Sequence, residues 1–218
     1  MNRMELKTNA RSVLARDHWG IVGVLLIASI VISLAMGVGS ALPVAGNTVA
    51  WLLVMAPISV GICIYLMKKR AGAGGTLENI FDAYKEGIGN RILTMFLKDL
   101  FTTLWTLLFI IPGIYKYYQY FCIPYILAEN PEVDHNQAFA YTKEMTNGHK
   151  MDLFVLQLSF IGWFILSALT CGILYILYVG PYFQLTMLEA YEDLKQKTYG
   201  SNPPFARQQQ FIDVDPLH

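Results

Sequence analysis

The residues best suited to chemistry inside a membrane are an adjacent charged pair, Lys98-Asp99, within a long apolar run. An ionisable side chain within a membrane helix is by default a candidate for transport or proton transfer. A relay would need further buried polar partners, and the later apolar segments offer Gln157, Gln184 and Glu189. The sequence therefore gives Lys98, Asp99 and Glu189 as candidate intramembrane polar sites.

The charged pair also has a simpler interpretation at the membrane surface. If the apolar core begins near Leu100, then Lys98 and Asp99 lie at the cytoplasmic interface, and their neighbouring positions on a helix do not require them to pair. We favour this interpretation. It predicts that Asp99→Asn changes no measurable flux or growth phenotype.

Other chemistry has little support in the sequence. There is no G-x-S-x-G, Walker or H-E-x-x-H motif. His18 and His149 lack metal-ligand spacing, and Cys63, Cys122 and Cys171 form no C-x-x-C pair, so we interpret all five as packing or interface residues. The sequence predicts no catalytic residue, no metal and no cofactor, and it favours a protein that is not an enzyme.

The distribution of charge indicates a membrane protein. The 218 residues are 55% hydrophobic and 15% charged, and residues 19–67 and 154–188 contain no Asp, Glu, Lys or Arg. Soluble helices need a polar face, whereas membrane helices do not. The formal net charge of zero argues against nucleic-acid binding.

These apolar segments predict an all-α, polytopic membrane bundle of about six transmembrane helices in three hairpins. The spans are residues 19–41, 48–67, two within 90–131, 153–170 and 173–191. The connector at residues 42–47 predicts one tight turn, Ile111-Pro112-Gly113-Ile114 a second and Cys171-Gly172 a third. Each returning span contains one proline, which we interpret as a helix kink: Pro57, Pro124 and Pro181.

Three short amphipathic helices are predicted before the hairpins, at residues 2–16, 77–85 and 137–146. The first places Leu6, Ala10, Val13 and Leu14 on one stripe. Its basic flank favours a helix lying on the membrane surface, and the alternative is a helix packed against the rest of the protein. Thr76 is predicted to cap the second. The succession of amphipathic helix and kinked hairpin, three times over, suggests an internal repeat.

The basic residues give an orientation. Lys and Arg cluster in residues 3–16, 68–91 and 143–150 and in the tail, whereas the intervening turns hold almost none apart from Lys116. The positive-inside rule places these clusters, and both termini, in the cytoplasm. The tyrosines between Tyr115 and Tyr120 then form an aromatic belt at the outer interface. A four-span alternative, with 90–131 partly re-entrant, disturbs this alternation.

Several strings in the chain resemble one bacterial membrane family, DUF975. They are Phe109-Ile110-Ile111-Pro112-Gly113-Ile114 followed by Lys116, Ile126-Leu127-Ala128-Glu129-Asn130-Pro131, Gly148-His149-Lys150, Leu158-Ser159-Phe160-Ile161-Gly162-Trp163, Pro181-Tyr182 and Tyr191-Glu192-Asp193-Leu194. The resemblance covers most of residues 5–194 and implies a polytopic membrane protein of bacteria, chiefly Gram-positive ones. The family has no established activity, so it implies no functional residue.

We therefore expect one integral membrane domain at residues 1–194, in the bacterial inner membrane, and a polar, disordered cytoplasmic tail at 195–218. The favoured function is a non-enzymatic protein that organises the membrane or binds partners. Its expected partners are the lipid bilayer and other membrane proteins, and not nucleic acid. The alternative is a transporter or channel for ions or small molecules, which a polar cavity reaching the membrane midplane would favour.

Overall fold

The computed structural model describes residues 1–40, 50–85 and 87–205, and this part of the chain is helical with no strand. The α-helices are α1 (Arg3–Arg16), α2 (His18–Ser40), α3 (Ala56–Ala71), α4 (Asp82–Lys85), α5 (Ile88–Leu108), α6 (Ile110–Gln119), α7 (Ile123–Glu129), α8 (His135–Met145), α9 (Lys150–Leu158), α10 (Ile161–Leu169) and α11 (Gly180–Tyr199). A 3₁₀-helix covers Leu77–Ile80, and π-helical turns cover Trp51–Met55 and Tyr175–Val179.

In the part of the chain that the structure describes, three helical stretches are long and apolar enough to cross a membrane: His18–Ser40, Trp51–Ala71 and Lys150–Leu169. The first agrees with the predicted span at 19–41, and the all-α class is confirmed. The expectation of six spans in three hairpins is not confirmed. The predicted connector at 42–47 lies outside the described residues.

Each predicted kink proline stands at the second position of a helix. Pro57, Pro124 and Pro181 follow the first residue of α3, α7 and α11, which we call the return helices. Proline is tolerated there because backbone N–H groups in a first helical turn need no intrahelical partner. A π-helical turn precedes two of these helices. Pro57 has no N–H to donate to the carbonyl of Leu53, four residues before it. The Tyr84 hydroxyl donates to this carbonyl instead, at 3.0 Å.

The predicted turn at residues 111–114 is wrong. The chain reverses at Phe109, whose backbone is extended between α5 and α6, and Pro112 and Gly113 lie within α6. Proline is favourable there because an N–H group in the first turn of α6 would have no intrahelical acceptor, so its absence costs no hydrogen bond. A Cβ on Gly113 would lie 2.5 Å from the Cα of Thr106, so this glycine lets the two helices approach closely.

The amphipathic segments pack against protein. α1 buries the predicted stripe of Leu6, Ala10, Val13 and Leu14, and it does so against α11. This result corrects the membrane-surface interpretation of α1, because its apolar stripe is already covered. The second segment is split into the 3₁₀-helix and α4, and the backbone N–H of Thr76 donates to Asn79 at its start. The third is α8.

The three amphipathic segments share one packing pattern. α1 lies against α11, residues 77–85 against α3, and α8 against both α7 and α11, so each segment packs on a return helix. The return helices meet at the core, where Tyr125 and Tyr191 stack with their ring centroids 4.9 Å apart. The pattern agrees with a threefold repeat, which stays a prediction.

Ordered structure extends beyond the predicted domain boundary at residue 194. α11 continues to Tyr199, and Phe205 is buried against Tyr141 and Tyr199. Residues 206–218, which make up most of the predicted tail, lie outside the described residues.

Candidate functional site: a charged cavity at one end of the return helices

The two groups of predicted intramembrane residues lie in separate environments. Lys98 Nζ and Asp99 Oδ1 on α5 are 3.0 Å apart, so the two side chains form an ion pair with each other. Glu189 on α11 is 5% exposed and pairs with Arg70 instead. The proposed relay partner Gln157 accepts a hydrogen bond from the Tyr118 hydroxyl. Among the described contacts, none connects these three environments into a relay.

Arg70 holds two acidic residues of α11 at the end of α3. Its Nε donates to Glu189 Oε1 at 2.6 Å, and its Nη2 lies 3.3 Å from Oε2, which makes the pair bidentate. Its Nη1 lies 3.9 Å from Glu192 Oε2. The arginine belongs to the basic last turn of α3, where positive charge is favourable beside the free helix carbonyls.

Lys195 joins α11 to α7. Its ammonium donates to Glu129 and lies 2.9 Å from Glu192 Oε2. Burial raises the pKa of Glu129, although Lys195 acts in the opposite direction. Burial also opposes the charged form of Lys195, but the two glutamates raise the pKa of its ammonium above the usual value. The three glutamates therefore share two cationic side chains, Arg70 and Lys195.

A cavity of about 580 Å³ opens beside this network. α1, α3, α7, α11 and the segment after α11 all contribute to its wall. Five acidic side chains and two basic ones line it, and the acidic ones are Glu5, Glu129, Glu189, Glu192 and Asp193. The lining therefore has more acidic than basic side chains, although Glu129, Glu189 and Glu192 already pair with Arg70 and Lys195.

The other residues considered in the sequence are dispersed. His149 Nδ1 lies 3.1 Å from Asp152 Oδ2, and the His18 ring packs against Trp19. Cys63 and Cys122 are buried, whereas Cys171 is exposed. Within residues 1–40, 50–85 and 87–205, no group of three or more His, Cys, Asp or Glu side chains is placed to hold a metal ion.

Sequence reasoning found Glu189 but missed the network around it. Arg70 is 119 positions away in the chain and Glu129 is 66 positions from Lys195, so no local pattern links them. One signal was available. Glu189, Glu192 and Lys195 recur at three-residue spacing after a long uncharged stretch, which places them on one face of a helix.

Within the described residues, these features define an all-helical fold with three helices apolar enough to cross a membrane. The family model described as "Protein of unknown function (DUF975)" matches residues 107–198, from the end of α5 almost to the end of α11. This match confirms the resemblance seen in the sequence over those residues. Neither the curated proteins nor the solved structures contain a match to the chain.

Proposed function

We propose that this is a non-enzymatic membrane protein that binds a positively charged partner through the cavity at the end of the return helices. Its location is the bacterial cell membrane, with the cavity and both termini on the cytoplasmic side. Its partners are the bilayer and another membrane protein, and nucleic acid is not among them.

The observation that carries this proposal is the separation of charged and apolar surface. Arg70, Glu129 and Lys195 gather at one end of the return helices. The most apolar helices are covered least by protein, since only 17% of the apolar window in α2 and 22% of that in Lys150–Leu169 is buried. A soluble protein rarely leaves such helices uncovered, whereas lipid covers them in a membrane.

The orientation rests on the positive-inside rule. The basic last turn of α3, Lys68 to Arg70, lies beside the cavity, and its Lys69 pairs with Asp17 at 2.5 Å before α2 begins. Basic connectors favour the cytoplasmic side. Six full crossings satisfy this rule, and so do hairpins that enter and leave through the same face.

Comparison of matched variants tests the partner proposal. The tagged full chain is extracted from native membranes in nanodiscs after cross-linking, and the bound proteins are quantified for the wild type, Glu192→Gln and Glu78→Gln. Glu192 lines the cavity, whereas the control Glu78 is exposed on the 3₁₀-helix. A partner that is lost from Glu192→Gln and kept by Glu78→Gln supports the proposal. The same bound set for all three chains contradicts it.

Transport is the second candidate, and the Lys98–Asp99 pair favours it. The side chains of this pair are 21% and 41% exposed on a long helix of mostly apolar residues. If the protein is a transporter, the wild type reconstituted into vesicles raises proton or potassium permeability, and Asp99→Asn abolishes the increase. We expect instead no increase with either protein, because Lys98 and Asp99 form an ion pair with each other.

A further inference from the structure

We propose that two of the hairpins are re-entrant, so that their tips end within the hydrocarbon core and do not reach the opposite surface. The first tip is residues 107–111, where α5 turns into α6, and the second is residues 169–173, after α10. The proposal rests on the membrane location proposed above. It replaces four of the six predicted crossings with two hairpins that enter and leave on the charged side.

The first tip has the composition of a buried segment and the exposure of a surface one. Its five consecutive residues are large and apolar, and between 64% and 84% of each is exposed. A turn that reaches water normally carries Gly, Asn, Asp or Ser. Part of the backbone at this tip is paired internally, because Phe109 N–H donates to the Trp105 carbonyl and Gly113 N–H to that of Phe109. The exposed apolar side chains suit hydrocarbon.

The second tip also exposes large apolar side chains, but its turn contains Gly172. Leu169 and Ile173, on either side of the turn, are 76% and 61% exposed. The N–H of Gly172 donates to the Ser167 carbonyl at 2.8 Å, and the hydroxyl of Thr170 donates to the same carbonyl at 3.0 Å. The backbone N–H groups of residues 170–173 therefore all donate to partners within the protein.

The helix rise from a charged contact to each tip, measured along the incoming helix, is about half a hydrocarbon core. The helix from Asp99 to Leu108 rises about 14 Å, and α10 rises about 13 Å. The first length begins at the Lys98–Asp99 pair. The second begins beside Phe160, whose ring centroid lies 4.6 Å from the Lys7 ammonium. A hydrocarbon core is about 30 Å thick, so both tips lie near its middle.

The return arm of the first hairpin reaches the charged side quickly. The Lys150 ammonium lies 4.4 Å from the ring centroid of Tyr115, only a few residues after the tip. Lys150 begins α9 in a basic segment that belongs to the cytoplasmic side. The aromatic belt predicted for the outer interface therefore adjoins the charged side in this arrangement.

Lys116 is the one charge on this arm, and its ammonium lies between two aromatic rings. Its ammonium lies 5.4 Å from the Trp105 ring centroid and 5.6 Å from that of Tyr120. A lysine near the edge of a hydrocarbon core can extend its head group toward the surface, and aromatic rings stabilise it there. The lysine is therefore compatible with an immersed tip.

The native Cys171 provides a direct test at the second tip. A polyethylene glycol–maleimide, which cannot cross membranes, is applied to intact cells, to inside-out vesicles and to detergent-denatured protein. Maleimides react with thiolates in water, which hydrocarbon does not provide. We expect no labelling of Cys171 until the protein is denatured. Labelling on intact cells would show that the hairpin crosses the membrane and turns at the outer surface. Labelling in inside-out vesicles would show that the turn lies in cytoplasmic water. Either result overturns the proposal.

The first tip is tested with Ile111→Cys in a Cys171→Ser background, and the same result is expected. Cys171→Ser alone gives the background from the buried Cys63 and Cys122. Ser201→Cys, on the rim of the cavity, is the aqueous control and should react in inside-out vesicles. A co-expressed protein with a known external cysteine checks the reagent on intact cells.

The controls separate the two proposals. If the protein is absent from the membrane fraction, the proposed location fails. If Ser201→Cys reacts on intact cells, the proposed orientation fails, and shielded tips still establish re-entrant hairpins. If the tips react while Ser201→Cys behaves as expected, only the re-entrant arrangement fails.

Discussion

Replacing Lys195 by Met should destabilise the protein more at pH 8 than at pH 5. The ammonium of Lys195 contacts both Glu129 and Glu192, and the three side chains are 16%, 15% and 19% exposed. Methionine retains most of the length and the helix propensity of lysine, so the change chiefly removes the charge. It leaves two neighbouring carboxylates with Arg70 as their remaining cationic neighbour in the network.

The sign of the pH effect follows from Glu129. Its pKa in the folded protein is already above the ordinary value of 4.5 because it is buried, and removing Lys195 raises it further. A carboxyl group with a raised folded pKa is favourable to the folded state below its unfolded pKa, and that benefit is lost as pH rises through the folded pKa. The deficit of the variant should therefore grow from pH 5 to pH 8.

The size of the loss can be estimated from the burial of the pair. Breaking a fully buried ion pair costs about 3–5 kcal/mol, and the partial exposure here reduces this to about 2–3 kcal/mol at pH 8. For a protein of this size the loss corresponds to a fall of roughly 4–12 °C in the unfolding midpoint. The control Lys197→Met removes the more exposed pair with Asp193 and should cost less than about 0.5 kcal/mol.

Thermal unfolding in detergent at pH 5 and pH 8 measures these effects. The double variant Lys195→Met/Glu129→Gln removes the unpaired carboxylate and should recover part of the loss at pH 8. Equal losses at both pH values, or no recovery in the double variant, would refute the argument from Glu129.

Two further variants test the packing of α3 by the same unfolding measurement. A Cβ on Gly61 would lie 1.9 Å from the carbonyl oxygen of Ile80, so Gly61→Ala should cost about 2 kcal/mol or more, whereas Gly23→Ala meets nothing within 4 Å and should cost nothing; equal midpoints for the two variants would contradict this contact. Tyr84→Phe removes the donor to the Leu53 carbonyl and should cost about 1 kcal/mol, and an unchanged midpoint would show that this carbonyl does not depend on the hydroxyl.

Local structure was the most predictable part of the fold. The stripe on α1, the start of the second amphipathic segment at Thr76 and the turn at Cys171-Gly172 all follow from residue spacing or turn preference, and the structure contains each of them. The reversal at Phe109 did not follow. Pro112 and Gly113 suggest a turn by type, but a proline is equally suited to a first helical turn, and only the contact with Thr106 decides between the two.

Contacts between distant segments could not be predicted. α1 has the basic flank and apolar stripe of a surface helix, and nothing within its own residues indicates that α11, far along the chain, covers that stripe. The network that joins Arg70, Glu189 and Lys195 depends in the same way on how α3, α7 and α11 meet. The sequence supplied charges of both signs, and tertiary packing selected their partners.

The same limit explains why the sequence favoured six crossings. An uncharged connector between two apolar segments is expected both for a turn at the far surface and for a tip that stays in hydrocarbon, and a count of charges cannot separate them. The composition of the connector can. Residues 107–111 contain no turn-forming polar residue, and the structure leaves their side chains exposed. A tip of this kind loses less by remaining in the hydrocarbon than by crossing into water, because each large apolar side chain gains about 1.5–3 kcal/mol on leaving water.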